Sequence, residues 1–150
     1  MTKLRFFINM AIVILFLILG IILTGNSLTL YVDSASLILG IIIPYIIVSF
    51  VFTPRDQMKF KKEIFTPEGT GDKAELAKAL IYFKSFKNLL IASSVTVTIL
   101  GFIGIMANLE DRSSIGPNLA VMMIVPFYVA IFLLIVVEPL RAAAEKNLKG

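Results

Sequence analysis

Residues 6–24 form an unbroken run of 19 residues without a single charge. At about 1.5 Å of rise per residue a helix of this length nearly matches the hydrocarbon core of a bilayer, about 30 Å. Such a run folds as a spanning helix, because every backbone N–H and C=O then finds its partner inside the segment. Lys3 and Arg5 precede it, as in a secretion signal, but a signal's apolar core is only about 7–15 residues long. No small-residue cleavage site follows promptly, so the run is expected to be retained. Gly25-Asn26-Ser27 breaks its helix.

The pattern recurs, and the composition agrees with it. The chain is 58% hydrophobic and 16% charged, with mean hydropathy +0.93, against about 45–50% and about 25% for a soluble domain. A second apolar stretch covers 34–52, with Asp33 or Ser34 as its N-cap, Pro44 inside it and Thr53-Pro54 closing it. Proline removes one N–H and crowds the carbonyl four residues back, so a distortion is expected there. A third helix is predicted from an Asp72 cap to Asn108, about 55 Å at 1.5 Å per residue. It is therefore expected to project beyond the bilayer. A short polar turn over 109–117 follows, with Pro117 at the first helical position, where its missing N–H costs nothing. The fourth span runs over 118–138 and its helix can continue past Glu138-Pro139. The expected fold is a single all-α membrane domain over residues 1–150. It has spans near 6–24, 34–52, 89–109 and 118–138, a cytoplasmic segment 53–88, and long third and fourth helices extending into the cytoplasm.

Residues 53–88 are the one long polar segment. Lys59, Lys61 and Lys62 alternate there with Phe60, Ile64 and Phe65, a pattern that fits a short interfacial helix or a solvated loop equally. Thr66-Pro67-Glu68-Gly69-Thr70-Gly71 is expected to turn, and it lacks the Gly-Lys-Ser/Thr ending of a phosphate loop. Thirteen of the 14 basic residues fall in the N-terminal stretch, in 53–88 or in the C-terminal stretch, and only Arg112 lies in a turn between spans. The positive-inside rule then places both termini and the long segment in the cytoplasm. The formal net charge of +4 is thus read as membrane topology, not nucleic-acid binding.

The chemistry available is narrow. The chain has no His and no Cys, which removes the commonest general base, the commonest metal ligand and thiol chemistry. No carboxylate lies in the middle of a span, and such groups are what usually carry protons through a membrane. No enzyme activity and no cofactor or metal site is expected. The polar content sits in the third span, where Ser94, Thr98 and Gly101 follow i, i+4, i+7 spacing and share a face, with Asn108 further along it. These residues either line a pathway or meet a partner helix, or they serve packing, since Ser and Thr bond back to their own helix and glycine admits a close neighbour. Pro126, midway along the fourth span, frees the carbonyl of Met122 from helix bonding, and that carbonyl needs another partner or a wet cavity. The rest of the fourth span is greasy.

The stretch 98–121, TILGFIGIMANLEDRSSIGPNLAV, resembles the junction between the third and fourth spans of the MotA/TolQ/ExbB proton-channel family, in its MotA branch. The matching pattern is Thr98 with Gly101, then Met106-Ala107-Asn108-Leu109, Glu110-Asp111, Ser113, Ile115-Gly116-Pro117 and Ala120-Val121. Tyr128 and Pro139 fall at the spacing of the family's fourth-span Tyr and closing Pro, and Asp33-Ser34-Ala35-Ser36 resembles the start of its second span. The resemblance implies a bacterial inner-membrane protein with four spans and both ends inside. It implies a homopentamer in which spans three and four surround a central hole. A single-span partner of the MotB, ExbD or TolR kind would occupy that hole and supply the proton-carrying Asp that this chain lacks.

There are departures from the family. The fourth-span Thr-Thr-x-Tyr-Gly stretch is Val125-Pro126-Phe127-Tyr128-Val129 here, Leu134 replaces an Asn, and Arg112 replaces a Pro. Only 36 residues separate spans two and three, too few for the family's flagellar torque domain, so flagellar torque is not expected. Two functions remain. The first is a stator-like channel subunit coupling the proton motive force to motion, with Ser94, Thr98, Gly101, Met122 and Pro126 at the ion path or lumen and Gly116, Pro117, Tyr128 and Pro139 in packing and turns. The second is a non-conducting pentameric scaffold whose apolar lumen holds membrane lipid or a helix.

Overall fold

The computed structural model describes residues 3–25, 27–67, 71–110 and 112–150. Among these the chain forms helices and no strand. The first span is α1 (Lys3–Leu23). A 3₁₀ turn, Leu28–Tyr31, leads into a second span built from α2 (Ser34–Leu37), a π-helical turn (Ile38–Ile42) and α3 (Ile43–Ser49). Next come α4 (Pro54–Ile64) and the long α5 (Lys73–Ala107). The chain ends with α6 (Arg112–Phe132), a second π-helical turn (Leu133–Val137) and α7 (Glu138–Lys149). Four helical segments are long and apolar enough to cross a membrane: Leu4–Leu23, Leu28–Ser49, Lys73–Ala107 and Ile115–Lys149.

Both π turns have the same local cause. Each is followed by one ordinary residue and then a proline, Pro44 or Pro139. The proline cannot donate to the carbonyl four residues back and its ring crowds it. The helix answers by widening, so that the N–H of Ile43 bonds the carbonyl of Ile38, and that of Glu138 bonds the carbonyl of Leu133. The distortion expected at Pro44 takes this form.

The first part of the polar segment is a helix, α4, that buries Phe60 and Ile64 within the protein and leaves Met58 exposed. Thr53 caps α4 with a reciprocal pair, its hydroxyl bonding the N–H of Asp56 while the Asp56 carboxylate accepts from the N–H of Thr53. Pro54 takes the first helical position, where it costs nothing. The hydrogen bond from the Thr53 hydroxyl is the main reason the Asp56 carboxyl titrates below the ordinary aspartate range. One face of α4 buries Gln57, Phe60 and Ile64 against α5 and α7, leaving Lys59, Lys61 and Lys62 exposed. Asp72 caps α5 by accepting from the N–H groups of Ala74 and Glu75.

The resulting core gathers at one end of the bundle. Phe60, Ile64, Leu76, Ala79, Phe83, Phe86 and Ala144 are buried together around Tyr82, whose ring lies 5.5 Å from Phe52 and 5.8 Å from both Phe60 and Phe86. Asn147 is 2% exposed. Its amide donates to the carbonyls of Glu63, Ile64 and Thr66 at 3.3, 3.0 and 3.3 Å, closing the C-terminal end of α4. By contrast α1 is anchored mainly at its foot, where Phe6 is buried and stacks edge-on with Phe65 at 5.8 Å.

One expectation is corrected. Gly116 and Pro117 do not form a turn ahead of the fourth helix, because α6 already begins at Arg112 and Pro117 lies inside it. Proline's fixed φ suits a helix, and near an N-terminus it forfeits only one backbone bond, so the helix starts a turn earlier than the proline suggests. Asp111, and Asn26, Glu68, Gly69 and Thr70 of the other expected turns, lie outside the described residues.

Candidate functional site

The antiparallel hairpin of α5 and α6 carries most of the residues singled out by sequence. The two helices approach closely at Gly101, where a Cβ would lie 2.9 Å from Cγ of Met122 and 3.0 Å from its Cβ. Any side chain at 101 would have to displace Met122, so glycine here brings two helices into direct contact. Gly101 and Met122 therefore mark the seam between the third and fourth spans. Thr98 and Ser94 lie one and two turns down the same face of α5 and are half-buried. The opposite face, with Val95, Ile99, Leu100, Phe102 and Ile103, is exposed.

The hydroxyls of α5 divide by partner. Thr96 bonds back to the carbonyl of Ala92 at 2.9 Å. Ser93 reaches across to the carbonyl of Leu39 in the second span. Ser94 and Thr98 make no hydrogen bond among the described residues. They stand half-buried beside the seam with donor and acceptor capacity to spare. Asn108 closes α5 by donating to the carbonyl of Gly104 at 2.9 Å. Gly104 and Gly116 meet no neighbour on their open sides.

On its other side α6 packs against the second span. Gly40, in the first π turn, admits Val125, whose Cγ1 would lie 3.0 Å from an added Cβ, and Val129 follows at 3.6 Å. Val125 and Val129 are buried, and Pro126 between them is half-buried. Met122 and Pro126 thus sit on the rim of α6 that runs from the seam to the second span.

Tyr128 ties these elements together. Its hydroxyl donates to the carbonyl of Tyr31 and accepts from the N–H of Asp33 at 2.8 Å. The Asp33 carboxylate in turn accepts from the N–H of Ser36 at 2.8 Å. One phenol therefore fixes the start of the second span against the middle of the fourth. At the far end of α6, Glu138 pairs with Lys87 of α5 and with Arg141 at 3.3 Å, next to Pro139. The Tyr128 and Lys87 links join residues 51 to 97 positions apart, and no local spacing reveals them.

Among the described residues no group of three or more acidic side chains stands close enough to hold a metal ion. What the hairpin offers is a narrow polar line on an apolar support: two unpartnered hydroxyls, a glycine contact and the proline-freed carbonyl of Met122. Such a line can pass or bind a small polar species but cannot itself take up a proton near neutral pH.

Comparison with known proteins gives one informative similarity. The chain is 33% identical over 64 residues to Motility protein A of Borreliella burgdorferi strain B31. That stretch is 43% of this chain and 25% of the relative, so the chain spans about a quarter of the protein it matches. No family model matches the chain.

Proposed function

We propose that the chain is a MotA-like stator or ion-channel subunit. It forms a homopentameric ring in a bacterial inner membrane, with both termini in the cytoplasm, and it couples the proton motive force to motion through a single-span partner of the MotB, ExbD or TolR kind. The observation that carries the proposal is the similarity to Motility protein A. The Ser94, Thr98 and Gly101 line supports it, because its two hydroxyls are left without a partner on an otherwise largely apolar helix face. In this reading Thr98 and Ser94 are exposed to the lumen when hairpins associate, and the Met122 carbonyl adds polarity at the same level. The partner brings the carboxylate that binds and releases the proton, because hydroxyls and a carbonyl solvate a proton in passage but do not store one.

A second reading, a non-conducting scaffold with a lipid- or helix-filled lumen, is favoured by the apolar outward residues of the fourth span, Ala120 and Met123 in α6 and Leu134 in the π turn that follows it. Proton flux into vesicles holding the chain and its partner separates the two. The channel reading predicts flux that falls several-fold in Thr98→Val. Equal flux in Thr98→Val and the parent removes Thr98 from the path. No flux with any partner, together with acyl chains retained in the isolated ring, establishes the scaffold.

A further inference from the structure

A cleft of about 680 Å³ opens at the foot of α1, between its first turns and the exposed face of α4. Its walls are Phe7, Met58, Phe65 and Thr66, and Lys61 and Lys62 stand at its mouth. Phe7 is 56% exposed and Met58 63% exposed, although both are large and apolar. Neither Lys61 nor Lys62 makes an ion pair among the described residues. The nearby acid Glu63 is engaged elsewhere, accepting from the N–H of Asp72 at 3.0 Å, and no carboxylate lines the described walls.

We infer that this cleft is a binding site for one anionic phospholipid, with its phosphate between Lys61 and Lys62 and the first part of an acyl chain along Phe7 and Met58. Three features converge on that occupant. The cleft begins one turn inside a helix long and apolar enough to cross a membrane, so it lies at the depth where phosphates meet acyl chains. Its two lysines are adjacent on a helix that is already held in place by Phe60 and Ile64 on its other face, so their backbone needs no further ordering and only the side chains must settle on the ligand. Apolar walls below paired ammoniums match a lipid and not a free anion, which has no use for Phe7 or Met58. The inference does not depend on ion conduction or on oligomeric state.

The test is native mass spectrometry of the full chain in mild detergent doped with equal phosphatidylglycerol and phosphatidylcholine. The parent is expected to retain phosphatidylglycerol at least about tenfold over phosphatidylcholine. Lys61→Gln/Lys62→Gln should bring that ratio close to one. Arg55→Gln/Lys59→Gln, on the same helix but outside the cleft, should leave it unchanged. Phe7→Ser/Met58→Ser should lower retention of both lipids. All these side chains are exposed, and a circular dichroism check of helix content controls for folding. Equal retention of the two lipids by the parent overturns the site. So does a preference that survives Lys61→Gln/Lys62→Gln, or one lost equally in Arg55→Gln/Lys59→Gln, which would mark mere surface charge. Displacement of the lipid by millimolar inorganic phosphate would reassign the site to a free anion and contradict the inference.

Discussion

The two halves of α5 obey different rules although they are one uninterrupted helix. In the half nearer its N-terminus, Leu76, Ala79, Tyr82, Phe83, Phe86 and Leu90 are buried at helical spacing against α3, α4, α7 and the end of α6. In the other half only Ile105 is buried, and Val95, Ile99, Leu100, Phe102 and Ile103 are exposed. The first half is completed by its own chain. The second leaves apolar surface open, which carries no penalty in a bilayer. The packed end holds the helices in register, while the hairpin is packed along its α5–α6 seam and leaves the face of α5 away from α6 exposed.

That division can be broken or sharpened by substitution. The largest effect is expected at the packed end, where Phe60→Ala empties a site that is 2% exposed and should cost about 3–5 kcal/mol in denaturant unfolding of the detergent-solubilised protein. Asn147→Ala removes the amide that donates to three carbonyls at the end of α4, of which that of Glu63 keeps the N–H of Thr66, and should cost about 1–3 kcal/mol. Tyr128→Phe loses both bonds between the fourth and second spans, with an expected loss of about 1–2 kcal/mol and faster hydrogen exchange at Asp33. In the hairpin, Leu100→Ala is expected to change protomer unfolding by less than about 0.5 kcal/mol, because Leu100 is 60% exposed, while weakening self-association. A Leu100→Ala penalty as large as that of Phe60→Ala would erase the distinction.

The smallest effect is a pH dependence. The Asp56 carboxyl is held below its ordinary range by the Thr53 hydroxyl. A carboxylate depressed in the folded state adds stability above its unfolded pKa and loses it as pH falls through the folded one. The start of α4 should therefore be insensitive to pH near neutrality and loosen only in strong acid. Thr53→Val should reduce that acid sensitivity, leaving the part due to the Thr53 N–H and the nearby lysines, read from amide exchange at Asp56 and Gln57.

Much of this architecture is legible in the sequence because hydrophobic runs, caps and prolines act locally. The uncharged run 6–24, the Asp72 cap and the long third helix all appear where the residues place them. Thr53-Pro54 is instructive, since it closes one span and also opens α4 through Asp56, a signal readable three residues on. Phe60 and Ile64 alternate with lysines, and nothing in that pattern tells whether lipid or protein will cover them; the answer depends on α7, some 80 residues later. The Ser94, Thr98 and Gly101 face was visible from spacing. That Met122 fills the space beside Gly101 while Ser94 and Thr98 find no partner follows only from how two helices meet. Pro117 misleads because a proline also occurs inside a helix at the loss of one backbone bond, here to the carbonyl of Ser113, and α6 starts five residues before it.

The central claim, that the exposed hairpin is the assembly face of a pentameric ring, is tested most directly by native mass spectrometry of the chain released gently from membranes. The account predicts a complex of five 16.6 kDa chains that dissociates in Leu100→Ala while the protomer stays folded. A stable monomer from the parent chain, with the hairpin intact, would contradict it.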